Sequence, residues 1–181
     1  MRIIAGKFGG RNILAPASLP VRPTTDYAKS GLFNILNNHF DFENLKVLDL
    51  FCGTGNISFE FASRGVNDIM CIDKHSGCVK FVSDFAEKIG AKGIHTVKSD
   101  VFKFMKQHEQ LYDIIFADPP FELGETDSLT DLILRKRILK KDGWLIVEHL
   151  NKRKLKTEIP PDEVREYGNC AFSIFKNSAA E

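Results

Sequence analysis

From Lys46 onward, short apolar runs rich in β-branched residues alternate with segments whose apolar residues recur at helical spacing. Val47-Leu48-Asp49-Leu50, Ile69-Met70-Cys71-Ile72, Ile94-His95-Thr96-Val97, Asp113-Ile114-Ile115-Phe116-Ala117 and Trp144-Leu145-Ile146-Val147 predict five strands. Between them, Ile57 to Ser63, Ser76 to Ile89, Val101 to Gln107 and Ser128 to Leu139 predict helices, with Lys141-Asp142-Gly143 turning into the next strand. Beyond Pro160-Pro161, Val164 to Tyr167 and Ala171 to Phe175 flank Gly168-Asn169 as an antiparallel hairpin. The alternation predicts an α/β fold: a doubly wound, mostly parallel, seven-stranded, Rossmann-like sheet closed by that C-terminal hairpin. Ahead of it, β-like patches between Arg2 and Leu14 are broken by Gly9-Gly10, and Tyr27 to Asn38 has helical spacing with Asp26 as its N-cap. Residues 1–40 are therefore expected to form a small hairpin-and-helix extension on a domain spanning 41–181.

Composition narrows the class. A chain of 181 residues, 43% hydrophobic and 27% charged, suits one globular unit with a sizeable core. No apolar run reaches membrane-spanning length, and Met1 to Lys7 lacks a secretory apolar stretch, so a cytoplasmic protein with no membrane partner is expected. Cys52, Cys71, Cys78 and Cys170 contain no C-x-x-C pair and the histidines are dispersed, so neither a disulfide framework nor a metal site is expected. The net charge of +1 hides an uneven distribution. Arg2, Lys7, Arg11, Arg22 and Lys29 face only Asp26 within the first 30 residues, and a second basic cluster runs from Arg135 to Lys156. Either could meet phosphate, and the second suits a solvated helix face equally well.

The sharpest motif is Asp49-Leu50-Phe51-Cys52-Gly53-Thr54-Gly55, at the junction of the first strand and the helix after it. A glycine-rich turn there lets backbone approach a ligand at the carboxyl edge of the sheet. A dinucleotide fingerprint needs Gly or Ala at position 58, where this chain has Ser58. Asp49 would repel a pyrophosphate but accept a hydrogen bond from an ammonium. Asp73 follows the second strand, placed for ribose hydroxyls, and Asp100 follows the third, placed for an adenine amino group with Val101 or Phe102 as an apolar wall. Each acid alone also suits a helix cap or turn. Together, with Gly53 and Gly55 on the first strand end and Phe51 between, they predict S-adenosylmethionine as cofactor.

The fourth strand ends in Asp118-Pro119-Pro120-Phe121. Consecutive prolines restrict the backbone and remove N–H donors, leaving carbonyls in a fixed array. An exocyclic base amine is a weak nucleophile because its lone pair is delocalised into the ring. The Asp118 carboxylate and Pro119 carbonyl, accepting its N–H bonds, would stabilise positive charge as nitrogen attacks a sulfonium methyl, and Phe121 would stack on the unstacked base. A rigid turn after a strand is the plainer alternative. Direct in-line transfer, with positioning as a main contribution, is the expected mechanism.

With these motifs, the chain resembles the bacterial small-subunit ribosomal RNA methyltransferase D family of class I methyltransferases almost end to end. Arg2-Ile3-Ile4-Ala5-Gly6-Lys7, Arg22-Pro23-Thr24-Thr25-Asp26, Leu32-Phe33-Asn34, Leu48 to Gly55, Ser63-Arg64-Gly65 and Asp118 to Phe121 match its signatures in order. The resemblance implies methylation of a guanine N2 in 16S ribosomal RNA. It implies free RNA or the small subunit as partner, a monomer, and RNA contact through Arg2, Lys7, Arg11, Arg22 and Thr24. Departures stand at Tyr27-Ala28-Lys29-Ser30, where the family usually carries Arg and Glu, at Gly9-Gly10-Arg11 in place of Arg-Gly-Arg, and at Asp73 in place of Glu. Two other readings stay open: an amino-methyltransferase acting on adenine N6 or a protein glutamine, and a non-catalytic ribosome-binding protein of the same fold.

Overall fold

The computed structural model describes residues 1–20, 24–120 and 123–178. Its centre is one seven-stranded sheet: β1 (Lys46–Leu50), β2 (Asp68–Asp73), β3 (Ile94–Lys98), β4 (Tyr112–Ala117), β5 (Leu139–Leu150), β6 (Glu163–Tyr167) and β7 (Cys170–Lys176). The order β3-β2-β1-β4-β5-β7-β6 is parallel through β5, with β7 and β6 antiparallel. β1 lies between β2 and β4, so the winding direction reverses beside it. Open α/β sheets bind ligands outside the strand carboxyl ends at such a switch point.

Helices α1 (Asp26–Asn37), α2 (Asn56–Ser63), α3 (Ser76–Ile89), α4 (Val101–Gln107) and α5 (Thr126–Lys136) accompany the sheet. Alternate sheet residues enter two cores. Val47, Ile69, Ile114 and Ile146 join residues of α1, α2 and α3, whereas Leu48, Ile115, Leu145 and Phe175 join those of α4 and α5. Period-two alternation and helical spacing thus predict both layers, and the α3 and α4 boundaries agree with the sequence expectation.

Three local expectations are corrected. The N-cap of α1 is Thr25, whose side chain accepts from the Ala28 N–H, while Asp26 is the first helical residue and pairs with Arg2. α5 stops at Lys136 rather than Leu139, because Arg137 turns left-handed (φ 51°) and sends the buried Ile138 into the second core. Lys141-Asp142-Gly143 is not a turn before a strand but lies inside β5, where the pairing with β4 slips between Tyr112 and Ile114. Asp142 is left-handed there (φ 62°), its N–H donating to the Asn177 carbonyl.

The N-terminal segment is a loop closed by the single bridge Arg2↔Asn12, not a hairpin of two strands. Ile3, Phe8 and Ile13 nevertheless enter the first core beside Leu32, Phe33 and Phe61. The reason is contact with α2. Lys7 N–H donates to the Ser63 carbonyl at 2.6 Å, and Phe8 N–H donates to Ser63 Oγ at 2.9 Å. Gly6 (φ 80°) allows this approach, since a Cβ there would lie 1.9 Å from the Ser63 carbonyl oxygen.

Candidate active site

A cavity of about 930 Å³ opens over the carboxyl ends of β1, β2, β4 and β5. Asp49, Phe51, Cys52, Gly53, Thr54 and Asp73 line it, and so do Asp118, Pro119, Pro120 and Glu148. The sequence-predicted cofactor turn and catalytic loop therefore meet across one space.

The turn after β1 is shaped by left-handed residues: Phe51 (φ 64°), Gly53 (φ 52°) and Gly55 (φ 74°). A non-glycine residue at positive φ is uncommon, which makes Phe51 a strained position. Asp73 clamps this turn, its Oδ2 accepting from Gly53 N–H at 2.9 Å and its Oδ1 from His75 N–H at 2.8 Å. A carboxylate has about four acceptor positions, so this clamp is compatible with ribose hydroxyls as further donors. Asp49 is 1% exposed and accepts from the Ser58 hydroxyl. Burial raises its pKa to about 7 despite that bond, with the charge of Asp73 adding to the rise. A buried carboxylate that lines a cavity suits a ligand that brings a positive charge, and the ammonium of an amino-acid cofactor does so.

Asp100, Val101 and Phe102 do not line the cavity. Asp100 caps α4, its Oδ1 accepting from Lys103 N–H at 3.0 Å, while Val101 is buried in the second core and Phe102 packs against it. Of the two readings open for that acid, the helix cap is the one its hydrogen bond displays.

The proline loop starts beside the turn after β1: Asp118 N–H donates to the Leu50 carbonyl at 3.3 Å, tying it to that strand. Burial, with Glu148 and then Asp49 close by, holds the Asp118 carboxyl well above the usual carboxylate range. Pro119 is buried and Pro120 exposed. Phe121 and Arg22 lie outside the described residues.

The remaining N-terminal candidates divide. Arg2, Lys7 and Arg11 are exposed, Arg2 pairing with Asp26 at 2.9 Å and the other two lying over the Phe8 ring. Thr24 is 6% exposed and lines the cavity, its Oγ1 donating to Glu148 Oε2 at 2.7 Å. Lys29, counted above with the basic patch, is fully buried: its Nζ donates to the Arg2 carbonyl at 2.6 Å and to Asn56 Oδ1 at 2.8 Å, and lies 3.3 Å from Glu60. Asn56 Nδ2 in turn donates to the Thr24 carbonyl at 2.8 Å.

A polar chain thus runs from Glu60 through Lys29, Asn56 and Thr24 to Glu148 at the cavity wall. Sequence reasoning missed Glu148 and Asn56. The available signal was Glu148 itself, an acid directly following the apolar run Leu145-Ile146-Val147, just as Asp118 follows Ile114 to Ala117.

In the second basic cluster, Arg135 pairs with Glu158, Lys140 with Asp113 at 2.7 Å and Arg153 with Asp127 at 3.3 Å, a balanced surface in those places. Among the described residues no group of His, Cys, Asp and Glu is arranged to hold a metal ion, all four cysteines are free thiols, and no helix is long and apolar enough to cross a membrane.

Fold and site together define a class I, S-adenosylmethionine-dependent methyltransferase. The family described as Conserved hypothetical protein 95 matches residues 1–176, and the chain belongs to it, the family of ribosomal RNA small subunit methyltransferase D. The chain is 30% identical over 183 residues to the putative rRNA methyltransferase YlbH of Bacillus subtilis, covering 97% of this chain and 98% of that protein. It is 30% identical over 150 residues to the Escherichia coli K12 ribosomal RNA small subunit methyltransferase D, covering 83% and 72%. In fold it is similar to the putative methyltransferase yhhF of E. coli, with a TM-score of 0.86 at 24% identity over 99% of both chains. An RNA methyltransferase of Salinibacter ruber, solved in complex with S-adenosyl-L-homocysteine, shares the fold with a TM-score of 0.68 at 12% identity, covering 88% of this chain and 96% of that one.

Proposed function

We propose that the protein transfers a methyl group from S-adenosylmethionine to the exocyclic N2 of a guanine in 16S ribosomal RNA. The observation that carries the reading is the convergence of Asp49 and Gly53 with Asp118 and Pro119 on one cavity. When bound, the cofactor supplies an electrophilic methyl. The chain's own residues do the rest. Asp49 accepts the ammonium, Gly53 lets backbone approach, and Asp73 holds the turn in shape. The Asp118 carboxylate and Pro119 carbonyl accept the two N–H bonds of the amine and orient its nitrogen for in-line attack. Because Asp118 holds a proton more tightly than an ordinary carboxyl, it also suits the proton the amine sheds after alkylation.

The ribosomal target is supported by the family and by relatives named for small-subunit rRNA methylation. Exposed Arg2, Lys7 and Arg11 supply cationic contacts for RNA phosphates, and Arg22 and Thr24 complete the set of RNA-contacting residues in this reading. The same reading makes the protein a cytoplasmic monomer acting on free 16S RNA or the small subunit, with residues 1–40 as its RNA-contacting part.

The test incubates the protein and labelled S-adenosylmethionine with unmodified small subunits, free 16S RNA and DNA, followed by nucleoside analysis. Label in N2-methylguanosine from subunits or 16S RNA is expected. Label confined to methyladenine or to protein overturns the guanine assignment. Asp118→Ala is expected to abolish transfer while S-adenosylhomocysteine binding, followed by calorimetry, changes by less than about threefold, because the cofactor's contacts in this reading are with Asp49, Gly53 and Asp73 and not with Asp118.

A further inference from the structure

Two carboxylates stand side by side on the substrate wall. β4 and β5 are parallel neighbours with Ala117 opposite Val147, so Asp118, just past the end of β4, and Glu148, near the end of β5, come next in the same register. Both line the cavity, and Glu148 is only 5% exposed. Thr24 fixes Glu148 through its 2.7 Å hydrogen bond and is itself fixed by Asn56. The Cys170 thiol shares the corner: burial, then Glu148 and Asp118, push its pKa up to about 12. Neighbouring buried carboxylates oppose each other's ionisation. A ligand edge that presents two adjacent donors matches two carboxylates set side by side.

We propose that Glu148 reads the guanine N1–H, so that Asp118 and Glu148 together accept from adjacent donors on one base edge. This rests on the guanine reading above and deepens it. Guanine presents N1–H and the N2 amino group side by side. Adenine presents an acceptor, N1, beside its N6 amino group. A carboxylate at Glu148 therefore completes the edge of guanine but faces a lone pair on adenine. The hold from Thr24 keeps that carboxylate in place beside Asp118. Glu148 is thus a specificity-determining residue, distinct from Asp118, which serves the reacting amine. The base chosen and the N-terminal segment are linked by the same chain of bonds, since Thr24 is the residue through which α1 and α2 reach the wall.

The experiment uses the whole protein and 16S RNA assembled by ligation, reconstituted into subunits where the particle is the substrate. The position found to carry label holds either guanine or 2-aminopurine, which keeps the amino group at C2 but has a lone pair at N1. Single-turnover transfer is measured for the wild-type protein, Glu148→Gln and Glu148→Asp. The wild-type protein is expected to prefer guanine by about 100-fold or more, because its carboxylate would meet an acceptor. Gln keeps the shape and can still accept from Thr24, while its amide can donate to N1. The preference is expected to fall below about tenfold, through loss on guanine and gain on 2-aminopurine. Asp, which keeps the charge, is expected to retain the preference at a lower rate. S-adenosylhomocysteine affinity reports folding of each variant and is expected to be unchanged.

Equal preference in the wild-type protein and Glu148→Gln, with label in methylguanosine, overturns the role of Glu148 and leaves the guanine reading standing. A preference lost in Glu148→Asp as fully as in Glu148→Gln overturns it too. Label in methyladenosine overturns both readings together.

Discussion

Asp49 illustrates how one side chain can hold both a fold and a ligand in balance. Its carboxyl titrates near 7 because it is buried, against an ordinary value of 3.8. The folded chain therefore binds this proton more tightly than the unfolded chain does. The sign follows: stability attributable to Asp49 is complete below about pH 4 and is lost as pH rises through about 7. A bound ammonium reverses the preference by favouring the carboxylate. Affinity for S-adenosylhomocysteine is then expected to rise by about tenfold per pH unit between 5 and 7 and to level off above. Asp49→Asn is expected to bind weakly with little pH dependence over that range. Calorimetric titration from pH 5 to 8 checks both, and a flat wild-type profile sinks the assignment. The motif was legible because G-x-G after a strand has few uses, and Ser58 excluded the dinucleotide one. The perturbed titration was not legible, since it depends on burial contributed by residues distant in the chain.

Between elements, the decisive contact is an ion pair with no exposure. Lys29 of α1 and Glu60 of α2 are both fully buried, and Glu60 also accepts from Arg64 at 2.9 Å and from the N–H groups of Ile4 at 2.7 Å and Ala5 at 3.1 Å. Removing one partner of such a pair leaves an uncompensated charge and costs about 3–5 kcal/mol. Arg64 and the two N–H groups still hold Glu60 when Lys29 is lost, so Lys29→Met is expected to destabilise by about 3 kcal/mol, the lower end of that range, in urea unfolding, and Lys29→Met combined with Glu60→Gln by less than the sum of the two single variants. Additive losses in the double variant would show that the two side chains act independently. Charge counting could not find this pair, because a lysine in a basic stretch looks solvated until its burial is known. The elements themselves were easier: α3 and α4 carry enough apolar periodicity to fix both ends. The end of α5 was misjudged because Ile138 continues the apolar pattern past Arg137, where the backbone has already turned.

At the scale of the whole molecule, the first residues bear on both folding and RNA contact, and the two contributions can be separated. Ile3, Phe8 and Ile13 are 0%, 4% and 2% exposed. Burial of each contributes about 1.5–3 kcal/mol, so together they supply about 5 kcal/mol or more. That is a large fraction of the total for a domain, about 5–15 kcal/mol. Deleting residues 1–14 also strips Glu60 and Ser63 of their backbone partners. The truncated chain is expected to melt at least 10 °C lower or to fail to fold. Replacing Arg2, Lys7 and Arg11 with Gln removes only exposed charge, so its melting temperature is expected to stay within a few degrees. RNA binding by this triple variant is expected to weaken, and the slope of log affinity against log salt to flatten by about 2 to 3. A truncated protein that melts like the full chain would mean that the segment is merely appended. A triple variant with unchanged salt dependence would mean that these cations do not meet phosphate. The sequence pattern suggested a separable hairpin because the segment's own periodicity is weak; what anchors it is supplied from Glu60 and Ser63, more than fifty residues further along the chain.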